Sequence, residues 1–136
     1  MKEVNDVLSK LWSSFINPLD KEAIPAWEVG YVPKDKQNVF PRFTYMVGVA
    51  GFAKGTILTS TIWDRRSPAG YFGIVDDVAN QALEKIPESG ILLTLDNGKG
   101  VLWVQRSNPF IIPLDDPEDN LVTRRIINIV VNSYVS

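Results

Sequence analysis

Two hydrophobic periods alternate along the chain. Val4, Val7, Leu8, Leu11, Trp12 and Phe15 recur at steps of three and four residues, which is the apolar stripe of one amphipathic helix. Asn17-Pro18 ends it, because a residue before proline is pushed out of the helical region. The spacing predicts a helix over about residues 3–16.

A period of two takes over at "FPRFTYMVGVAGF". Phe43, Tyr45, Val47 and Val49 fall on one face of a strand, and Thr44, Met46, Gly48 and Ala50 on the other. The glycine-flanked turn "GFAKG" (Gly51 to Gly55) leads into "TILTSTIW", where Ile57, Thr59, Thr61 and Trp63 oppose Leu58, Ser60 and Ile62. Two such runs joined by a short glycine-bearing loop predict an antiparallel hairpin.

After "DRRSPAG" the period returns to that of a helix, over about residues 70–86. Phe72, Val75, Val78, Ala79, Ala82, Leu83 and Ile86 form its expected stripe. Asp76 and Asp77 fall near its positive N-terminus and Lys85 near its negative end, as the helix dipole favours. Ser67-Pro68 sets the entry, and Pro87 and Gly90 close it.

"GILLTLDNGKGVLWVQRSNPFIIPLDD" reads as a second hairpin. The turn "DNGKG" (Asp96 to Gly100) offers the left-handed conformations a tight reversal needs. Leu92, Thr94, Val101, Trp103 and Gln105 are strand positions around it. "PFIIPL" continues as a short extended segment whose two prolines suit an edge. The polar loop "DDPEDN" follows, and "TRRIINIVVNSYVS" closes the chain. Ile127, Ile129, Val131 and Val135 alternate there with Asn128, Asn132 and Tyr134; Ile126 and Val130 fit a helical period too, but the β-branched content favours a strand over a helix.

Residues 17–39 fit neither period. They hold three prolines and one glycine, yet also Leu19, Ile24, Trp27 and Tyr31. Such a stretch is too apolar for a free linker. It reads as an irregular apolar arm that covers either its own core or a neighbouring subunit. The whole chain, residues 1–136, is expected to form a single α+β domain, one mostly antiparallel β-sheet with two helices packed on one face.

Composition narrows the chemistry. The formal charge of −2 gives no net basic field for nucleic acid or an anionic membrane. There is no cysteine, so no disulfide and no thiol chemistry, which fits a protein assembled inside a cell. There is no histidine, which removes the commonest general base and the commonest transition-metal ligand. The charged N-terminus lacks the apolar core of a signal peptide, and no run approaches the roughly 18 apolar residues of a membrane span. Neither export by a recognisable signal nor a membrane partner is expected.

The candidate chemical groups are few. Asp115, Asp116, Glu118 and Asp119 offer the oxygen ligands of a hard cation, but the spacing matches no EF-hand loop, and a solvated turn is simpler. Asp76 and Asp77 are adjacent on a helix and share no face. Asp64 reaches them only if the junction folds back. Arg65-Arg66 suits bidentate phosphate binding, a solvent-facing loop or intersubunit ion pairs. Ser67 has no histidine to activate it and no G-x-S-x-G around it. No phosphate-binding glycine motif occurs. Trp63 and Trp103, at strand positions, read as core or interface anchors. No catalytic residue, cofactor or metal site is expected.

The stretch "FPRFTYMVGVAGFAKGTILTSTIWDRRSPAGYFGIVDDVANQALEKIP" resembles the tail terminator (tail-completion) proteins of long-tailed bacteriophages and prophages. The shared features are Pro41 opening a strand that carries Tyr45, a second strand ending "IWDRR", the helix "GIVDDVANQAL", a hairpin, and the closing "RRIINIVVNSYV". The resemblance spans about residues 40–136 and is an order of elements more than a signature. It implies an α+β subunit without catalysis, assembled into a homo-oligomeric ring, commonly a hexamer. Such a ring caps the tail tube, stops its polymerisation and meets the head. Its partners would be the tail tube protein and a head connector or neck protein, with DNA passing through unbound. It would reside in the virion tail or neck, and in the host cytoplasm during assembly. Magnesium-assisted assembly is associated with the lambda type, but no residue here maps onto that site.

On this reading, Trp27 and Tyr31 of the arm, Arg65 and Arg66 of the junction, and Asp115 and Asp116 of the acidic loop are the candidate subunit interface. The competing readings are a head-side connector or neck subunit, and a small phosphate-binding enzyme using Arg65, Arg66 and the carboxylates.

Overall fold

The computed structural model describes residues 2–16, 24–37, 39–47, 55–65, 73–95, 98–115 and 121–135, and of Val135 only the backbone. It contains helix α1 (Lys2–Ser14), strands β1 (Ala26–Glu28), β2 (Arg42–Tyr45) and β3 (Thr56–Arg65), helix α2 (Gly73–Lys85), and strands β4 (Ile91–Thr94), β5 (Gly100–Asp115) and β6 (Val122–Val135). One six-stranded sheet runs in the order β1-β2-β3-β6-β5-β4. Every pairing is antiparallel except β1 with β2. The fold is α+β, with both helices on one face of the sheet.

Alternation along the strands separates two faces. Leu58 and Ile62 of β3, Ile127, Ile129 and Val131 of β6, Leu102 and Val104 of β5, and Phe43 of β2 are buried on the inner face. Against them α1 lays Val4, Val7, Leu8, Leu11 and Trp12, with Phe15 just beyond. Helix α2 adds Val75, Val78 and Ala82, with Ile86 just past its end. Trp12 joins the layers: its indole N–H donates to the Met46 carbonyl at 2.8 Å. Its ring meets Phe15 and Phe43 edge-on at 5.5 and 6.3 Å, geometry that the ring quadrupoles favour.

The antiparallel pairings expected of β2 with β3 and of β4 with β5, and the closing strand, are all present, while Gly48 to Lys54 of the first expected hairpin and Asp96 and Asn97 of the second turn lie outside the described residues. Three details differ from the sequence reading. The stretch expected as an irregular arm contributes a strand: β1 pairs with β2 at the sheet edge, and Ile24 is buried in the core. Leu83, expected in the buried stripe of α2, is 42% exposed. At about 100° per residue it falls to the flank of the face that Val75, Val78, Ala82 and Ile86 turn to the sheet. Phe72, expected in the same stripe, lies outside the described residues. The third difference is that "PFIIPL" is no separate segment but the far half of β5, resumed after a register shift between Arg106 and Ile111. The β4 pairing stops at Val104, so Pro113 lies at an edge, where a missing N–H costs no ladder bond.

Candidate functional site

The outer face of the sheet is covered by neither α1 nor α2. Pairing brings Arg42 of β2 opposite Trp63 of β3, and Trp63 opposite Arg124 of β6. The indole therefore lies between two guanidinium groups, Arg42 at 4.7 Å and Arg124 at 4.9 Å from its ring centroid. Arg42 also stacks on Phe40 at 4.9 Å and donates to the Gln37 carbonyl. Burial draws the Arg42 guanidinium below its ordinary pKa, yet arginine keeps its charge under ordinary conditions. The Trp63 indole N–H and the Arg124 Nε–H are buried with no hydrogen-bond partner.

Beside this stack a groove of about 410 Å³ opens toward the β1 edge, lined by Val29, Gly30, Val32, Gln37, Arg42, Thr44 and Trp63. Along the rest of the face, Thr59 Oγ donates to Asn128 Oδ1 at 2.8 Å, and the Gly55 N–H donates to Asn132 Oδ1 at 2.7 Å. At the far end Leu92, Trp103 and Tyr134 are exposed. Trp27, Trp63 and Trp103 all occupy the outer face by their register with Thr44, Arg42 and Asn132. Of the four tryptophans, Trp12 alone is in the core.

A second polar group lies on the inner face, where β3, β6 and β5 run past the helices. Asp64 and Asp115 flank Thr123 in register. Thr123 Oγ is 3.2 Å from Asp115 Oδ1, and Arg125 donates to Thr123 Oγ at 3.1 Å. Arg125 also reaches Asp76 in the first turn of α2 at 3.4 Å. The Asp64 carboxyl is raised above its ordinary pKa by burial, opposed by the hydrogen bond from the Arg65 N–H. Among the described residues, no group of three or more carboxylates is placed to hold a metal ion.

The residues singled out from sequence are scattered over this frame. Trp27 is half-buried on β1, and Tyr31 is 74% exposed just beyond it. Arg65 and Asp115 end β3 and β5 on either side of Val122 and Thr123, so they share one end of the sheet. Arg66 and Asp116 lie outside the described residues, as do most of "DRRSPAG" and of "DDPEDN". Sequence reasoning missed Arg42 and Arg124. Alternation places each on the face opposite Phe43 and Ile127, but only the strand register brings both onto Trp63.

No protein-family model, characterised protein or solved structure matches the chain. Among the described residues, no helix is long and apolar enough to cross a membrane.

Proposed function

We propose that this chain is a structural assembly subunit, and within that class a ring-forming tail terminator of a long-tailed bacteriophage. It would cap the tail tube, stop its polymerisation and present the surface that joins tail to head. The observation that carries the assembly reading is the sheet face that neither helix covers, with Trp27, Trp63 and Trp103 on it. Aromatic side chains supply large contact areas at interfaces, and arginine accompanies them there. The narrower assignment is supported by the element order that the sequence shares with tail terminators. A formal charge of −2 suits a ring through which DNA slides without sticking.

The test is the mass of the particle in solution. Size-exclusion chromatography with light scattering, with and without magnesium, and negative-stain images should show a closed ring. A monomer at every concentration would overturn the assembly reading. Binding of purified tail tube protein to the ring supports a terminator. A ring that binds only a head-side connector makes the chain a neck subunit.

A further inference from the structure

We propose that the outer face of the sheet receives the helical side of a second copy of this chain, so that copies associate head to tail. This rests on the assembly reading and specifies its contact. The argument is charge complementarity within one molecule. The described strand positions on the outer face carry Arg42, Arg65 and Arg124 and no carboxylate. Glu28, Asp64 and Asp115 are the acidic strand residues, and by register all three face inward. The described strands thus turn arginines and no carboxylate to the outer face, and keep their carboxylates on the inner one.

The outward side of α2 matches that face in kind. Asp76, Asn80 and Glu84 are exposed at steps of four, and Leu83 beside Glu84 is 42% exposed. An exposed leucine beside carboxylates is the complement of a tryptophan between arginines. Contacts between different surfaces generate rings when the rotation closes. Two sheet faces meeting each other would instead set Arg42 and Arg124 of one copy against the like charges of the other. Single-stranded nucleic acid is the less favoured occupant. It binds by stacking bases on open aromatic faces, and both faces of Trp63 are taken by Arg42 and Arg124.

The absence of cysteine makes the contact directly testable. Thr61→Cys marks the outer face, and Asn80→Cys marks the outward side of α2. Each full-length variant is first confirmed to assemble, then treated with a short bismaleimide alone and as a mixture. The expected result is a covalent dimer in the mixture and none in either variant alone. A dimer from Thr61→Cys alone would mean that sheet faces meet, and would overturn the proposal. An assembled mixture with no covalent dimer overturns it too, while leaving the assembly reading intact. A chain that never assembles overturns both. As a second readout, Arg124→Glu should weaken association about tenfold or more, and adding Glu84→Lys should restore part of it. Tight binding of a fluorescent single-stranded oligonucleotide, abolished by Arg124→Glu, would replace the second copy with nucleic acid.

Discussion

Arg106 donates from Nε to the Ile86 carbonyl at 2.6 Å and from a terminal nitrogen to the Leu83 carbonyl at 3.1 Å. A cation on β5 thereby closes the C-terminal end of α2, where carbonyl groups lack helical partners and the dipole is negative. The same guanidinium lies 4.9 Å from the Phe110 ring centroid. The register shift that follows Arg106 brings Phe110 within its reach.

Arg106→Leu should therefore destabilise the fold by about 1–3 kcal/mol, because it leaves two helix-end carbonyls without their charged donor. Arg106→Lys should recover part of the loss through charge alone. Urea unfolding of the three proteins checks the order. Equal midpoints would show that solvent serves the helix end as well as Arg106 does.

Gly90 and Gly30 separate two costs of a side chain. Both have positive φ, 81° and 89°. A Cβ at Gly90 would lie 2.5 Å from Trp103 Nε1 and 2.8 Å from the Val104 carbonyl, whereas none of the surroundings of Gly30 comes within 4 Å. Gly30→Ala should cost about 1 kcal/mol from conformation, and Gly90→Ala clearly more, since the strand backbone cannot move aside. Thermal unfolding of the pair measures the difference.

Leu11 and Leu83 make an opposed pair. Leu11 is 8% exposed and Leu83 42%. Leu11→Ala should cost about 2–5 kcal/mol, while Leu83→Ala should stay within about 0.5 kcal/mol in the monomer. If the subunit assembles through α2, Leu83→Ala should instead weaken the assembly. Denaturant titration reads the first effect, and light scattering reads the second.

Asp64 gives a pH dependence with a definite sign. Its folded-state pKa is raised by burial, so the unfolded chain releases this proton first as pH rises. The ionised group then opposes folding above the carboxylate range, and that opposition fades as pH falls through it. Asp64→Asn keeps an acceptor for the Arg65 N–H and removes the charge. It should be at least as stable as the parent at neutral pH, with any advantage shrinking in acid. Urea midpoints at about pH 3 and pH 7 bracket the window. A variant less stable at neutral pH would mean that the carboxylate is worth more ionised.

Local periodicity determined the helices, the hairpins and the identity of the inner face. Each follows from which side chains repeat at three and four residues or at two, and that is a property of the chain alone. Thus Val4 to Phe15 and Ile127 to Val131 were legible. The tertiary structure decided what depends on register and on packing from a distance. Ala26 to Glu28 of the arm became an edge strand because β2 offered them a partner. Leu83 was left outside because α2 settles on the sheet through Val75, Val78 and Ala82, and periodicity alone does not say how far that contact extends around the helix. Trp63 acquired Arg42 and Arg124 because β2 and β6 pair on either side of β3. Residues 42, 63 and 124 are far apart in sequence, so no local pattern records that they meet, and only the pairing of three strands brings them together.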